Sequence, residues 1–235
     1  MKTAKGKLYL FPTPIGDLHE MAQVPFNLNV LAPITTFFVE EIKTARRHLR
    51  KLGYTADFET VDFRVLNEHS KDIDWSDWLK PLEEGKDAVL LSEAGMPCVA
   101  DPGAKLVAAA QDRNIEVVPL TGPSSILLTL VASGMNGQNF VFHGYLPKER
   151  MERVKKLKSM ERNAREYRQT QIFMDAPYRN QHVFDDLREQ LNENTRLCIG
   201  CDVQSGNGYV KTKTIAEWRT LNWDFSKRNV MFIIG

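Results

Sequence analysis

The chain has 235 residues and 43% of them are hydrophobic, so it can bury one large core or two modest ones and is not expected to be disordered. Its 31 basic and 30 acidic residues leave a formal net charge of +1, so any attraction to a polyanion has to come from local clusters. No apolar stretch is long enough to span a bilayer. The opening sequence MKTAKGKLYLFPTP has no signal-peptide core or cleavage site, and a cytoplasmic location is therefore expected.

Strands and helices alternate through the first half of the chain. Short apolar runs bounded by turn residues predict strands, and apolar residues recurring at helical spacing predict helices. The predicted strands span residues 8–11, 35–39, 88–91 and 116–120, and the predicted helices span residues 44–52, 77–83 and 104–111. Such alternation is typical of a doubly wound α/β sheet.

The second half has a looser, mixed pattern. We predict helices at residues 124–133, 149–168 and 181–191, and strands at residues 140–142, 171–174, 196–201 and 230–234. A turn that contains proline and glycine at residues 119–123 marks the expected boundary between two domains. The predicted domains are residues 1–120 and 121–235.

Two loops built from small residues follow two of the predicted strands. The first, SEAGMP, spans residues 92–97, and the second, TGPSS, spans residues 121–125. Open α/β sheets bind ligands at the carboxyl ends of their strands. Glycine and alanine let a ligand approach the main chain, and a helix that starts with Pro-Ser-Ser offers N–H groups and hydroxyls to a carboxylate or phosphate. Together the loops predict a site for a polar, amino-acid-like cofactor, although either loop alone is more typical of an ordinary turn.

Longer segments around these loops carry a resemblance to a known family. SEAGMPCVADPG at residues 92–103 and VVPLTGPSS at residues 117–125 resemble the cofactor loops of the tetrapyrrole-methylase-like (class III) S-adenosylmethionine methyltransferases. LYLFPTPIGDL at residues 8–18, FVFHGYLPK at residues 140–148 and FMDAPYR at residues 173–179 resemble the ribosomal RNA small subunit methyltransferase I branch. The resemblance extends over nearly the whole chain.

This resemblance implies a fold, an activity and partners. The implied α/β fold has a mostly parallel N-terminal sheet, a mixed C-terminal sheet and a cofactor cleft between the two domains. The implied activity is transfer of the methyl group of S-adenosyl-L-methionine to the 2′-oxygen of a cytidine in small-subunit (16S) ribosomal RNA. The implied partners are ribosomal RNA in the small ribosomal subunit and a second copy of the chain in a homodimer.

The resemblance also implies site residues. Methyl transfer requires alignment of the acceptor with the departing sulfur, and a hydroxyl acceptor needs a group that removes its proton. Glu40 or Asp175 is the expected proton acceptor, and Arg179 is expected to contact a phosphate or ribose. The alternative is that all three residues form a structural ion-pair network. The residues expected to bind the cofactor are Pro12, Pro14, Ser92, Ala94, Gly95, Pro97, Cys98, Ser124, Ser125 and Met174.

The acceptor side departs from the family pattern. EEIK at residues 40–43 stands where the family usually has Glu-Asp-Thr-Arg, and DAPYR at residues 175–179 stands where it has Glu-Ala-Pro-His-Arg. A later Arg-Glu-Leu-Thr-Lys element is replaced by GCDVQSGNG at residues 200–208, and a Lys-Gly-Glu element by KRN at residues 227–229. Because the cofactor loops are kept, these changes suggest retained cofactor binding with an altered acceptor.

Two other functions remain open at this point. One is a small-molecule, tetrapyrrole-like methyltransferase, although that branch opens with a Gly-Ala-Gly-Pro-Gly turn and this chain has FPTPIG at residues 11–16. The other is a non-catalytic S-adenosylmethionine-binding module. A classical dinucleotide-binding enzyme is disfavoured because no GxGxxG follows the first strand.

Basic residues cluster in two places. Residues 148–168 hold nine Lys or Arg against four Glu, on a predicted helix whose apolar positions Met151, Val154, Leu157 and Ala164 are expected to face inward. The second cluster is RRHLRK at residues 46–51. These clusters predict either a surface that follows RNA phosphates or a solvated helix face.

The cysteines do not suggest a metal site. Cys198 and Cys201 form a CxxC motif with no second pair of cysteines or histidines at a suitable spacing. Residues 196–201 are predicted to be a strand, on which these two side chains point to opposite faces. We therefore predict no metal centre.

Overall fold

The structure is a computed structural model that describes residues 4–18 and 24–235. The N-terminal tip of the chain and His19 lie outside these ranges. The chain divides into two compact units, Met1–Pro123 and Ser124–Gly235. Within the described ranges, no helix combines the length and apolar character needed to cross a membrane.

The first unit contains a five-stranded parallel sheet. Its strands are β1 (Lys7–Phe11), β2 (Thr36–Val39), β3 (Asp62–Val65), β4 (Ala88–Leu91) and β5 (Glu116–Pro119), in the order β3-β2-β4-β1-β5. The helices are α1 (Pro25–Leu31), α2 (Ile42–Lys51), α3 (Trp75–Glu83) and α4 (Ala104–Asp112).

Helices cover both faces of this sheet, and the inner strands β2 and β4 are buried along their whole length. Phe38 and Leu90 pack on one face with residues of α3 and α4. Phe37 and Leu91, their neighbours in sequence, pack on the other face with residues of α1 and α2. This alternation explains why β2 and β4 are continuous apolar runs, as expected for parallel strands covered on both sides.

The second unit contains a five-stranded mixed sheet. Its strands are β6 (Phe140–Tyr145), β7 (Thr170–Met174), β8 (Arg196–Cys201), β9 (Tyr209–Thr214) and β10 (Val230–Ile234), in the order β6-β7-β10-β8-β9. Strands β6 and β7 are parallel and the other neighbouring pairs are antiparallel. The helices are α5 (Ser125–Ser133), α6 (Arg150–Tyr167), α7 (Asn180–Gln190) and α8 (Ile215–Arg219). The predicted α/β class, with a parallel first sheet and a mixed second sheet, is confirmed.

The two faces of the second sheet are covered by different helices. Phe173 packs with residues of α6, α7 and α8, and Ile172 packs with Leu130 of α5. Cys201 belongs to the first of these clusters and Cys198 to the second. The prediction that the two cysteines point to opposite faces is therefore confirmed.

The inward face of α6 differs from the prediction. Met151 is 83% exposed, whereas Arg153 and Leu157 are buried. Arg153 can be buried because its Nε and Nη2 atoms lie 2.8 and 2.7 Å from Asp186 Oδ2 on α7. This ion pair turns Arg153 toward the core and leaves Met151 on the outer face, so the prediction for Met151 was wrong.

Candidate functional site

Four loops of the first unit meet at one edge of its sheet. Strands β1, β2, β4 and β5 are parallel, so their carboxyl ends share this edge. The predicted cofactor residues Pro12, Pro14, Ser92, Ala94, Gly95, Pro97 and Cys98, together with Glu40, follow β1, β2 and β4 and lie on these loops. This is the edge at which open α/β sheets bind ligands.

The loops after β1 and β4 are joined through their main chains. The Thr13 and Gly95 N–H groups each donate to the carbonyl of the other residue over 3.0 Å. Ser92 Oγ donates to the Gly95 carbonyl over 2.6 Å and lies 3.3 Å from Thr13 Oγ1. Both hydroxyl residues are buried, so these bonds fix the path of the loop. The sequence predicted the two prolines beside Thr13 but missed Thr13 itself, although a residue between two prolines at a strand end is a recognisable signal.

Gly95 is needed at this crossing for two reasons. Its φ angle of +79° lies in the left-handed region that favours glycine. A Cβ atom there would lie 3.1 Å from Ile15 Cγ2 and 3.3 Å from the Pro123 carbonyl oxygen. A side chain at position 95 would therefore press on the Ile15 side chain and on the Pro123 main chain.

The loop continues with two further residues in the left-handed region. Cys98 and Ala100 have φ angles of 68° and 60°. Asp101 holds this segment, because its Oδ1 atom accepts from the Cys98 N–H over 3.0 Å and from the Gly103 N–H over 2.7 Å. Non-glycine residues in this region cost free energy and are often found at functional sites. Asp101 was missed as a supporting residue, although DPG after a small-residue loop is a typical turn signal.

Glu40 places a half-buried carboxyl at the same edge. The Glu93 N–H donates to Glu40 Oε1 over 3.4 Å. Burial raises the pKa of Glu40, and the nearby Asp101 carboxylate raises it further. Burial also raises the pKa of Glu93. No cluster of three or more His, Cys, Asp or Glu suited to a metal ion occurs in the described part of the chain.

The remaining predicted cofactor residues lie in the second unit. Ser124 caps α5, since its Oγ atom accepts from the Leu127 N–H over 3.4 Å. The Ser124 hydroxyl is therefore occupied in capping the helix. The N–H groups in the first turn of a helix have no acceptor within that helix, so they can donate to a ligand. Ser125 is the first residue of α5, and Met174 packs in the same apolar cluster as Ile126. The start of α5 and the end of β7 thus lie on one face of the second sheet.

Asp175 and Arg179 form an internal ion pair. Asp175 Oδ2 lies 3.0 Å from Arg179 Nη2, without regular hydrogen-bond geometry, and the side chains are 0% and 13% exposed. Burial raises the pKa of Asp175, while the Ala176 N–H and Arg179 oppose that rise. Arg179 Nη2 also donates to the carbonyls of Pro147 over 2.8 Å and Leu146 over 3.3 Å. These contacts favour the structural alternative weighed for this pair.

The segment that departs most from the family pattern closes a hairpin. Residues 202–208 join β8 to β9, and Asp202, at the start of this connection, binds the segment that precedes β10. Its Oδ2 atom lies 2.7 Å from Arg228 Nε, and its Oδ1 atom accepts from the Asn229 N–H over 2.9 Å. The replacements at residues 200–208 and 227–229 are therefore in contact with each other.

Comparisons with known proteins agree on one family. Residues 7–203 match the family described as Tetrapyrrole (Corrin/Porphyrin) Methylases. A Bacillus subtilis protein named Ribosomal RNA small subunit methyltransferase I is 33% identical over 194 residues, which are 82% of this chain and 62% of that protein. A protein of the same name from Escherichia coli O157:H7 is 31% identical over 219 residues, 93% of this chain and 69% of that protein. The chain thus spans less than two thirds of the Bacillus relative.

A solved structure shares the fold. The crystal structure of the methyltransferase CobJ has a TM-score of 0.60 with this chain and 16% sequence identity. The similarity covers 99% of this chain and 94% of that one. At this identity the similarity shows the fold alone.

Proposed function

The chain belongs to the tetrapyrrole methylase family, whose members are methyltransferases, and on that premise we propose that it methylates small-subunit ribosomal RNA with S-adenosyl-L-methionine as the donor. The proposed acceptor is the 2′-oxygen of a cytidine in the 16S RNA. The names of the relatives support small-subunit ribosomal RNA as the substrate, and the family resemblance supports the 2′-oxygen as the acceptor atom. We extend the proposal to a homodimer acting in the cytoplasm.

The observation that carries this proposal is the main-chain crossing of Thr13 and Gly95. It joins the loops after β1 and β4 at the sheet edge where a cofactor is expected, and a Cβ atom on Gly95 would press on Ile15 Cγ2 and on the Pro123 carbonyl oxygen. S-adenosyl-L-methionine, when bound, supplies a methyl carbon activated by a sulfonium group. The loops present backbone N–H and C=O groups, which suit the polar amino-acid part of such a ligand. The proposed binding residues are those named above in both units, with the first turn of α5 offering N–H groups in place of the Ser124 hydroxyl.

Glu40 is the proposed proton acceptor. A ribose hydroxyl is a weak nucleophile until its proton is removed, and a carboxylate with a raised pKa is better matched to that task near neutral pH. The pKa of Glu40 is raised by burial and by Asp101, and its side chain is only half buried. Asp175 has a fully buried side chain paired with Arg179, and we propose that these two residues hold the turn at Leu146 and Pro147.

The test is transfer of labelled methyl from S-adenosyl-L-methionine to small ribosomal subunits from a strain deleted for the gene. A small-molecule extract serves as a parallel acceptor, and calorimetry measures cofactor binding. We expect label in the 16S RNA, where mass spectrometry locates the modified nucleotide. Label only in the extract would instead support a tetrapyrrole-like small-molecule enzyme. Tight cofactor binding without transfer to either acceptor would support a non-catalytic binding module.

A further inference from the structure

A groove of about 710 Å³ lies along the outer face of α6. It is lined by residues of α6 and by the last residue of α7, and none of them belongs to the proposed methyl-transfer site. The lining residues include Met151, Val154, Lys155, Lys158, Arg162 and Gln190. No acidic and no aromatic side chain is among the described residues that line the groove. Its electrostatic character is therefore set by cations.

Three of these cations are not engaged by the protein. Lys155, Lys158 and Arg162 follow one another at helical spacing, so they form a stripe on one face of α6. Within residues 4–18 and 24–235 they make no hydrogen bond or ion pair through their side chains. Arg150 and Arg153 differ, because both are paired with Asp186. The positive charge of the stripe is thus available to an anionic partner.

The second basic cluster of the sequence is used differently. The Arg46 guanidinium carbon lies 5.4 Å from the centre of the Phe58 ring, and that of Arg50 lies 3.9 Å from it. Arg50 also donates to the carbonyls of Tyr54 and Ala56. These arginines pack the first unit together, so the prediction of a phosphate-binding surface is supported more strongly at α6 than at α2.

The stripe fits a phosphodiester backbone. From Lys155 to Arg162 the helix rises about 10 Å, so the three cations are spread over a length that spans several phosphates of one backbone. Single-stranded RNA is bound largely by stacking of bases on aromatic side chains, which the groove lacks, whereas double-stranded RNA is recognised by shape and backbone. We propose that the outer face of α6 binds the backbone of a double-helical RNA segment without base specificity. This inference rests on the proposed RNA substrate.

The test compares two charge-matched triple variants. The groove variant combines Lys155→Gln, Lys158→Gln and Arg162→Gln. The control combines Lys71→Gln, Lys80→Gln and Arg196→Gln, three exposed cations that are not on α6 and do not line the groove. Fluorescence anisotropy measures binding of a labelled small-subunit RNA hairpin, and of an unstructured oligouridine of equal length, at increasing salt. Calorimetry with S-adenosyl-L-methionine checks that each variant is folded.

We expect the groove variant to bind the hairpin about 100-fold more weakly near physiological salt, with the salt slope reduced by about three. The control should stay near the wild type. Equal hairpin binding by both variants, with methyl transfer to small subunits intact in the wild type, overturns the groove inference alone. A loss confined to the oligouridine overturns the double-helical assignment. A wild type that neither binds nor methylates the RNA overturns the proposed function together with this inference.

Discussion

Asp186 and Asp185 are neighbours on α7, and both pair with arginine side chains. Asp186 is 4% exposed and accepts from Arg150 and Arg153, while Asp185 is 39% exposed and pairs with Arg188. Removing one partner of a buried pair leaves a charge without compensation, whereas an exposed pair is replaced by water. The same chemical change at these adjacent positions should therefore have unequal effects.

We expect Asp186→Ala to lower the free energy of unfolding by about 3–5 kcal/mol, because two arginines lose their buried partner. Asp185→Ala, the matched control, should lower it by at most about 1 kcal/mol. Urea denaturation followed by tryptophan fluorescence measures both. Equal losses would show that the Asp186 pairs contribute no more than an exposed ion pair.

Glu40 and Glu41 offer a similar comparison for catalysis. Burial and Asp101 raise the pKa of Glu40, whereas hydrogen bonds from Thr44 and Lys43 lower the pKa of Glu41, which caps α2. A base must be deprotonated, so kcat/KM should rise with pH through the raised pKa of Glu40. We expect Glu40→Gln to lower kcat by about 10²- to 10⁴-fold and to abolish that rise, with cofactor affinity kept.

The control for this experiment is Glu41→Gln. It keeps a side-chain oxygen that can accept at the start of α2 and should leave the pH dependence of kcat/KM unchanged. Methyl transfer to small subunits across a pH series measures both variants. An active Glu40→Gln enzyme with the wild-type pH dependence would assign the proton acceptor to another group.

The loop after β4 is the element on which cofactor binding should depend most. We expect Gly95→Val to lower the affinity for S-adenosyl-L-methionine at least about tenfold, because its side chain would displace Ile15 and the Pro123 carbonyl and the φ angle disfavours it. Gly53→Val is the matched control, because Gly53 has a φ angle of +84° and a Cβ atom on Gly53 would have no other atom within 4 Å. Calorimetry measures the affinity of each variant for the cofactor. Thermal unfolding measures the loss of stability that valine at a positive φ angle causes in both variants. Equal affinities would remove this loop from the site.

Apolar runs and their turns predicted most elements of the fold. Strands β4, β8 and β10 have the predicted bounds, and α4 ends one residue later than predicted. These elements are buried or regularly amphipathic, so composition and position determine them together. For the candidate site, the small residues after β4 predicted a cofactor at the carboxyl edge of the first sheet, and that assignment stays a prediction. The glycine among them has a specific use, because Gly95 has a positive φ angle.

The strands at the sheet edges, and the contacts between residues far apart in the chain, could not be predicted from the sequence. Strands β3 and β9 lie at the edges of their sheets, with polar residues such as those of YVKTKT, and they are fixed by pairing with β2 and β8. Met151 was placed inward because the partner of Arg153, Asp186, is 33 residues away in the chain. The bonds of Thr13 to the loop after β4 likewise join positions about 80 residues apart. A helical or strand period contains no information on such pairs.

At the scale of the whole molecule, the chain divides into two units with separate cores, and its formal net charge is +1. A charge of +1 gives little long-range attraction to RNA, so binding should depend on short-range contacts and fall with salt. Local stability follows local contacts, so a ligand should slow opening most at the residues that it touches.

This local effect tests the proposed cofactor residues of each unit separately. A ligand at about 100 times its Kd stabilises the bound state by about 2.7 kcal/mol, which slows hydrogen exchange wherever opening would break the contact. With S-adenosyl-L-methionine we expect slower amide exchange both at residues 92–101 and in the first turn of α5. The Gly95→Val variant should show neither effect. Protection limited to residues 92–101 would remove Ser124, Ser125 and Met174 from the proposed site, because their unit would then open as freely as without the ligand.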